Sequence, residues 1–385
     1  MSSAGGPADA LRVDQVGSLL RPAELKALFA GEAQGEEGSE EDGEAGLRAG
    51  MRRAVTRVIG EQVARGIRPI ADGEFWRRGF QETFGHSVDG YAPPPAEAGD
   101  TGGGGGGQIS EAEYVRRRPV ESRLELKRNV LLDEYLADRE ILGERGAAAE
   151  PHKVTLTGPE RLTQRFDLEH SGSVYDGFDS FMADVVRIER EMIGQVIEAG
   201  CPYVHIDEPA YTAYVDPTSL EWMAERHWDP ARGLERAIAA DNALIDGWEG
   251  VTFGLHICRG NAGGHWHREG AYDAIAEQLF DGLRYQRLLL EYDTERAGGF
   301  EPLRFVRKGT IAVLGLVSTK TGVLEDRDVL LERIEEASKF LPVEQMALSP
   351  QCGFASGLTG NPLTEEEQWR KLELVRDVAA EIWGD

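Results

Sequence analysis

Cysteine is scarce in this chain: of 385 residues, only Cys201, Cys258 and Cys352 carry a thiol. Three widely spaced thiols cannot build a disulfide scaffold, and a sparse, odd set suits a reducing compartment where cysteine serves metal or redox chemistry. Positive charge is also in deficit, with 42 Lys and Arg against 68 Asp and Glu, a formal net charge of −26. Such a surface repels polyanions and offers no basic stripe, which argues against nucleic acid as a partner. Long apolar runs are missing as well; nowhere do about eighteen apolar residues follow one another, the length a membrane-crossing helix needs. The opening MSSAGGPADA has neither the basic nor the apolar part of an export signal. The expectation is a soluble, cytoplasmic protein with no membrane partner; a homo-oligomer is compatible with the composition but not specified by it.

What is present is alternation. Short β-rich runs and longer amphipathic stretches follow one another along the whole chain, the pattern of parallel βα units. Strands are predicted at 12–17, 68–73, 153–157, 203–207, 252–257, 287–292, 310–317 and 345–351. Helices are predicted at 50–65, 178–199, 234–247, 272–282, 326–340 and 364–382, with Asp and Glu favouring their first turns. Eight strand-then-helix repeats are the number that closes a (β/α)8, or TIM, barrel, so the expected fold class is α/β, with one such barrel forming a single domain over 1–385.

Two stretches break the rhythm. The acidic segment 31–46, GEAQGEEGSEEDGEAG, is poor in apolar residues and reads as a solvated loop. A long excursion after strand 2, at 79–150, contains the glycine run 102–107 and the basic patch 116–118. The glycine run lacks the Lys-Ser/Thr ending of a phosphate loop and reads as a flexible tether or the edge of a lid over the barrel mouth.

The most informative segment is GLHIC at 254–258, where a strand-like run ends with His256 and Cys258 two residues apart. On an extended strand these positions face the same side, so imidazole and thiolate could hold one ion. Alone, the pair reads equally well as two buried core residues. Two further strand ends tip the balance: Glu291 closes a run in LLLEYD at 288–293, and Cys352 follows another in SPQCGF at 349–354. In a parallel barrel the four side chains would meet at the C-terminal ends of strands, where barrel enzymes place their chemistry.

Two soft thiolates with an imidazole suit tetrahedral zinc rather than magnesium or calcium. Ligands scattered from 256 to 352, on a barrel that folds without metal, point to a catalytic rather than a structural site. Two thiolates and a carboxylate make Zn²⁺ a poor generator of hydroxide but leave it able to keep a substrate thiolate nucleophilic. The carboxylate is the ligand an incoming sulfur displaces most easily. The chemistry implied is deprotonation of a thiol near neutral pH and attack on an alkyl carbon. Other strand ends are polar too: VGS at 16–18, ADGE at 71–74, TGP at 157–159 and IDEP at 206–209. Carboxylates directly after apolar strands are poor core residues unless paired, and could bind the ammonium of an amino-acid thiol.

With these residues in view, the chain resembles the C-terminal catalytic barrel of the cobalamin-independent methionine synthase family. The matching stretches are VGSLLRP at 16–22, DGEF at 72–75, LTGP at 156–159, HIDEPA at 205–210, HIC at 256–258, Glu291, and SPQCGF at 349–354, in the family's order over most of the chain. The resemblance implies zinc held by His256, Cys258, Glu291 and Cys352, and homocysteine contacted by Ser18, Glu74 and Asp207. It implies a zinc-dependent S-methyltransferase of methionine biosynthesis whose partners are small molecules, a homocysteine-like thiol and a small alkyl donor.

The chain also departs from that pattern. Its length leaves room for one barrel, and where folate-using synthases carry a stacking Trp, a folate-binding Glu and a proton-donating His it has Arg165, Ala213 and Lys320. It is therefore more similar to short single-barrel relatives, among them the epoxyalkane–coenzyme M transferases, and the donor is not implied. Glu74 and Asp207 favour an amino-acid thiol over a sulfonate, whose charge they would oppose. The expected reaction is methyl transfer to homocysteine or a similar thiol. Opening of an epoxide or other alkyl electrophile by a thiol is the alternative, and a zinc-free barrel lyase or binding protein is the rival that the thiol pair speaks against. Lys320 reads either as a proton donor to the leaving group or as a plain surface lysine. Cys201 reads as a buried small residue, and His265 and His267 as loop histidines or part of a substrate lid.

Overall fold

The computed structural model describes residues 11–34, 40–93 and 117–384. Its strands fall into two sheets. Strands β1 (Val88–Tyr91) and β2 (Val120–Leu126) pair antiparallel by themselves. The central sheet is six-stranded and parallel, in the order β3 (Lys153–Thr157), β4 (Tyr203–Asp207), β5 (Thr252–Ile257), β6 (Arg287–Glu291), β7 (Ile311–Val317) and β8 (Met346–Pro350). Five of the six, β3 and β5 through β8, are buried along their whole length. That is what a parallel sheet covered on both faces requires, and it explains apolar runs such as IAVLGLV that do not alternate.

The first two predicted strands are reduced to single parallel pairings, Val13 with Leu348 of β8 and Ile70 with His152 just before β3. Each edge of the sheet thus receives one N-terminal segment. Both segments soon leave the extended conformation, at Gly17 (φ 143°) and at Gly73 and Glu74 (φ 72° and 62°). The two are tied together where the Leu19 amide donates to the Gly73 carbonyl at 3.0 Å.

The sheet is curled, as one carboxylate shows. Asp14 lies beside β8, yet its Oδ1 accepts from Lys153 Nζ of β3, the opposite edge strand, at 2.9 Å. Its Oδ2 accepts from Tyr203 Oη of β4 and Arg287 Nε of β6, both at 2.8 Å. In a flat sheet β3 and β6 alone would stand about 14 Å apart.

Around the sheet lie α1 (Ala23–Gln34), α2 (Glu40–Arg65), α3 (Glu82–Ser87), α4 (Val130–Glu144), α5 (Pro159–Gln164), α6 (Phe178–Glu198), α7 (Pro217–Glu225), α8 (Pro230–Ile245), α9 (Ala276–Gly282), α10 (Arg327–Ala337) and α11 (Glu365–Trp383). The long α6 buries Phe181, Val185, Ile188, Met192 and Val196 on one stripe. A reciprocal cap starts α11: Thr364 Oγ1 accepts from the Glu367 amide at 3.2 Å while Glu367 Oε2 accepts from the Thr364 amide at 2.7 Å. Among the described residues no helix is long and apolar enough to cross a membrane.

One reading needs correction. The segment 31–46, expected as a loop, is helical on both sides of 35–39, which lie outside the described residues: α1 runs to Gln34 and α2 begins at Glu40. Alanine and glutamate are strong helix formers, and their propensity outweighs the lack of an apolar stripe. Within the excursion at 79–150 the described residues carry α3, the β1–β2 pair and α4, and are fastened to the body by the Val120 amide donating to Ser171 Oγ and the Leu124 amide donating to Tyr175 Oη, both at 2.9 Å. Its glycine run 102–107 lies outside the described residues.

Between α6 and α8 the packing encloses acid. Glu189 and Asp241 are 0 % exposed, and neither oxygen of Glu189 has a hydrogen-bond donor. Asp241 accepts from Tyr211 Oη at 2.5 Å through one oxygen only. Burial drives the Asp241 carboxyl up to about 8, and burial with the neighbouring Asp241 and Glu208 drives Glu189 well above its ordinary value. A carboxyl raised in the folded state stabilises fully below its unfolded value near 4, and that contribution is lost as pH rises towards 8. Asp241→Asn, which keeps an acceptor for Tyr211, is therefore expected to gain stability over wild type at pH 9 by about 4 kcal/mol more than at pH 5. Urea melts at the two pH values check this; equal gains would show that Asp241 is ionised throughout.

Candidate metal centre

β5 ends by presenting His256 and then Cys258 on the same side, and the chain leaving β8 turns back with Cys352. All three are buried, and one ligand atom from each lies within 4.8 Å of the others. His256 Nδ1 stands 3.2 Å from the Leu289 carbonyl oxygen, which can only accept. Nδ1 therefore carries a hydrogen, which leaves Nε2, buried without a hydrogen-bond partner, as the ring nitrogen available to a metal. Cys258 is driven well above the usual thiol range first by its hydrogen bond with Cys352 and then by burial, while His256 pulls it down. Two packed thiols and an unused imidazole lone pair are unfavourable as a dry polar core but match a soft divalent cation, so the residues fit zinc.

Neighbouring segments come close because glycine permits it. A Cβ on Gly353 would sit 1.9 Å from Ser18 Oγ, so the glycine after Cys352 is what lets Ser18 pack against this segment. A Cβ on Gly17 would sit 2.6 Å from Thr155 Cγ2 and 3.5 Å from Glu74 Oε1. Ser18 is thereby brought against the residue that follows Cys352, and Glu74 near the residue that precedes Ser18.

Glu74 adopts a left-handed backbone that L-residues avoid, held by Asp72 Oδ1 accepting from its amide at 2.8 Å. Its Oε1 accepts from Thr155 Oγ1 at 3.0 Å and faces Arg77 Nη2 at 3.4 Å, while its buried Oε2 has no donor. Asp207 ends β4, in register with His256 on β5, and its Oδ1 stands 4.0 Å from His256 Nε2, also without a donor. Burial pushes the Asp207 carboxyl up to about 6, with His256 working the other way. These two buried carboxylate oxygens without donors, one of them 4.0 Å from His256 Nε2, are acceptors that an ammonium group would satisfy.

Glu291 is placed differently from the three clustered residues. It ends β6 fully buried, but its Oε1 accepts from Arg296 Nη2 at 2.6 Å and Lys320 Nζ at 3.3 Å, and its Oε2 from the Arg259 amide at 2.5 Å. Burial opposes its charge, yet Lys320, Arg259 and Arg296 together hold the carboxyl down to about 2. Lys320 is 8 % exposed and also donates to Asp293 Oδ2 at 2.9 Å, which rules out the plain surface reading. Burial disfavours its charge, but Glu291 and Asp293 keep the ammonium protonated beyond the ordinary lysine range. Cys201 is buried, its Sγ 3.3 Å from the Tyr203 carbonyl and away from the other thiols. His267 is buried and His265 half-buried, on the loop after β5, and neither belongs to the clustered group.

Beneath the centre lies a polar layer that sequence reasoning passed over. Lys153 Nζ stands 3.2 Å from His205 Nδ1, and the His205 ring is 6.2 Å from the His256 ring, so Asp14, Lys153, Arg287, Tyr203 and His205 form a buried charged floor. The available signal was period two on β4, where Tyr203, His205 and Asp207 share one face.

No protein-family profile matches the chain. The uncharacterized protein YxjG of Bacillus subtilis is 36% identical over 374 residues, 97% of this chain and 94% of that protein. The methionine synthase of Pyrococcus abyssi is 25% identical over 301 residues, 77% of this chain and 73% of that one. A solved Listeria monocytogenes structure, assigned as a vitamin-B12-independent methionine synthase, has a TM-score of 0.73 at 27% identity, over 97% of this chain and 98% of the other. A B12-independent methionine synthase from a Shewanella species, in complex with selenomethionine, has a TM-score of 0.68 at 19% identity over 97% of each chain, a likeness of fold.

Proposed function

Because the chain belongs to the cobalamin-independent methionine synthase family, we propose that it is a zinc-dependent methyltransferase that methylates homocysteine or a closely similar amino-acid thiol. Its scaffold is a single (β/α)8 barrel in which the first two strands are cut back to the pairings at Val13 and Ile70. The observation that carries the reading is the convergence of His256, Cys258 and Cys352 within 4.8 Å, with a donor-less oxygen of Asp207 4.0 Å from His256 Nε2.

In this reading His256 Nε2 and the two sulfurs hold the metal, and Glu291 is a fourth, labile donor. Bound zinc supplies the positive charge that lets a substrate thiol ionise near neutral pH while remaining nucleophilic. Glu74 Oε2 and Asp207 Oδ1 accept from the substrate ammonium, and Ser18 Oγ donates to its carboxylate. In the overall exchange the sulfur–hydrogen bond and the donor's methyl bond break, a sulfur–carbon bond forms, and the proton goes to the leaving group. Lys320, held protonated beside the centre, is the ammonium placed to stabilise that group. Two carboxylates in the acceptor position oppose a sulfonate thiol.

The decisive experiment measures zinc per chain and follows thioether formation from homocysteine with a panel of N-methyl, S-methyl and epoxide donors by mass spectrometry. One zinc per chain and methionine from a methyl donor are expected. A zinc-free protein, or a thioether formed only with an epoxide, would overturn the assignment. Glu74→Gln is expected to raise KM for homocysteine about 10–100-fold with a smaller change in kcat, since a buried charged hydrogen bond is worth about 1.5–3 kcal/mol. An unchanged KM would remove Glu74 from the binding site.

A further inference from the structure

Arg21 is only 2 % exposed, and all five of its N–H groups donate to main-chain carbonyls. Nη2 reaches the Glu74 carbonyl at 2.9 Å, and Nε and Nη2 reach that of Arg77 at 3.0 and 2.9 Å. Nη1 reaches the carbonyls of Ala355 and Gly357 at 3.1 and 3.0 Å. Arg21 stands three residues after Ser18, and Ala355 stands three after Cys352. One guanidinium thus fastens together the segments that carry Ser18, Glu74 and Cys352. Two main-chain bonds join the same segments: the Leu19 amide donates to the Gly73 carbonyl at 3.0 Å and the Phe354 amide to the Ser18 carbonyl at 2.9 Å. The demand is sharpest at Glu74, whose left-handed backbone (φ 62°) persists only where its surroundings over-determine it. Both of its main-chain polar groups are held, the amide by Asp72 Oδ1 at 2.8 Å and the carbonyl by Arg21.

Resting on the functional reading above, we infer that Arg21 is a positioning residue for substrate recognition: by clamping the Glu74 carbonyl to the chain that leaves Cys352, it fixes where the Glu74 carboxylate meets the substrate ammonium. Charge-assisted bonds from a planar fork set direction as well as distance, which a lysine ammonium, a single point of donation, does not. Burial pulls the guanidinium down to about 10, with Glu74, Glu82 and Asp72 working the other way, so it stays charged near neutral pH. Without the clamp the Glu74 backbone is free to leave the left-handed region, and its side chain then leaves Thr155 Oγ1, which orients it at 3.0 Å. The loss falls on substrate binding and spares the metal, because His256 and Cys258 are set by β5 and its pairing with β4 and β6. Arg21 itself touches neither substrate nor metal.

The test combines steady-state kinetics with amide hydrogen exchange on the full-length protein. Arg21→Met, which keeps the apolar stem and removes every donor, is expected to raise KM for homocysteine about tenfold, with kcat changed less than about threefold and zinc per chain unchanged. Combined with Glu74→Gln it is expected to add less than about threefold to the KM of that variant, because both remove the same substrate contact. Exchange is expected to quicken about tenfold in residues 73–80 and 354–357, while β5, β6 and β7 keep wild-type protection. Arg21→Lys, which retains the charge and serves if the methionine variant does not fold, is expected to raise KM about threefold with the same sparing of kcat. The inference is overturned by a wild-type KM in Arg21→Met, or in Arg21→Lys should the former not fold. It is equally overturned by KM effects of Arg21→Met and Glu74→Gln that multiply in full, by unchanged exchange at 73–80, or by a fall in kcat and zinc content as large as the rise in KM, which would make Arg21 a general prop of the fold. A wild-type protein that forms no methionine from homocysteine, while the exchange result stands, would overturn the functional reading and leave the clamp in place.

Discussion

Cys258→Ser is expected to be purified with well under one zinc per chain and to lose methyl transfer at least about 10³-fold. Zinc bound by a full set of Cys and His donors gains roughly 10–16 kcal/mol, so one donor among three or four accounts for about 3–4 kcal/mol, or about 10²–10³ in affinity. The lost activity should exceed the lost affinity, because the remaining His256 and Cys352 could not hold the ion where Glu74 and Asp207 place the substrate. The fold should persist: β5 is buried by strand pairing with β4 and β6 and by its own apolar residues, none of which needs the sulfur. Metal analysis, circular dichroism and a turnover assay on the same preparation separate these effects. Stoichiometric zinc at unchanged affinity in the serine variant would remove Cys258 from the centre.

A second large effect is expected far from the thiols. Asp14→Ala should destabilise the protein by about 3–5 kcal/mol, because it leaves Lys153 and Arg287, both 0 % exposed in their side chains, without the carboxylate that pairs them. Burial would raise the Asp14 carboxyl, but Lys153 and Arg287 outweigh it and hold it below the ordinary value. A carboxyl lowered in the folded state stabilises above its unfolded value near 4 and loses that contribution as pH falls through the folded value. The difference between wild type and Asp14→Asn should therefore shrink as pH drops below about 4. Denaturant melts measure both effects. A loss under about 1 kcal/mol for the alanine variant would mean that the two cations are compensated elsewhere.

The six central strands were legible because strand burial is written locally, in runs such as VTLT, TFGLHI and RLLLE bounded by turn residues, and the observed limits of β3, β4 and β5 are those predicted. The segments at 12–17 and 68–73 read equally well as strands, yet each makes one pairing before turning away, because Gly17 and the Gly73–Glu74 pair spend the backbone on bringing Ser18 and Glu74 to the centre. The acidic stretch at 31–46 misled for the opposite reason: its composition lacks an apolar face, while its residues favour helix. Lys320 could not be assigned from sequence, since a lysine after a strand is exposed or buried according to whether acids from other strands reach it.

The sequence by itself determined which residues are the candidates for the chemistry: two thiols and an imidazole at strand ends, and carboxylates after apolar runs, all recognisable from residue type and period-two spacing. Tertiary structure alone decided how they divide. It gathered His256, Cys258 and Cys352 within 4.8 Å and turned Glu291 to Arg296 and Lys320. It also assembled the floor of Asp14, Lys153 and Arg287 from segments far apart in the chain. The reason is that a carboxylate's partner is set by competition among every donor the fold brings within reach, and sequence order does not contain those distances.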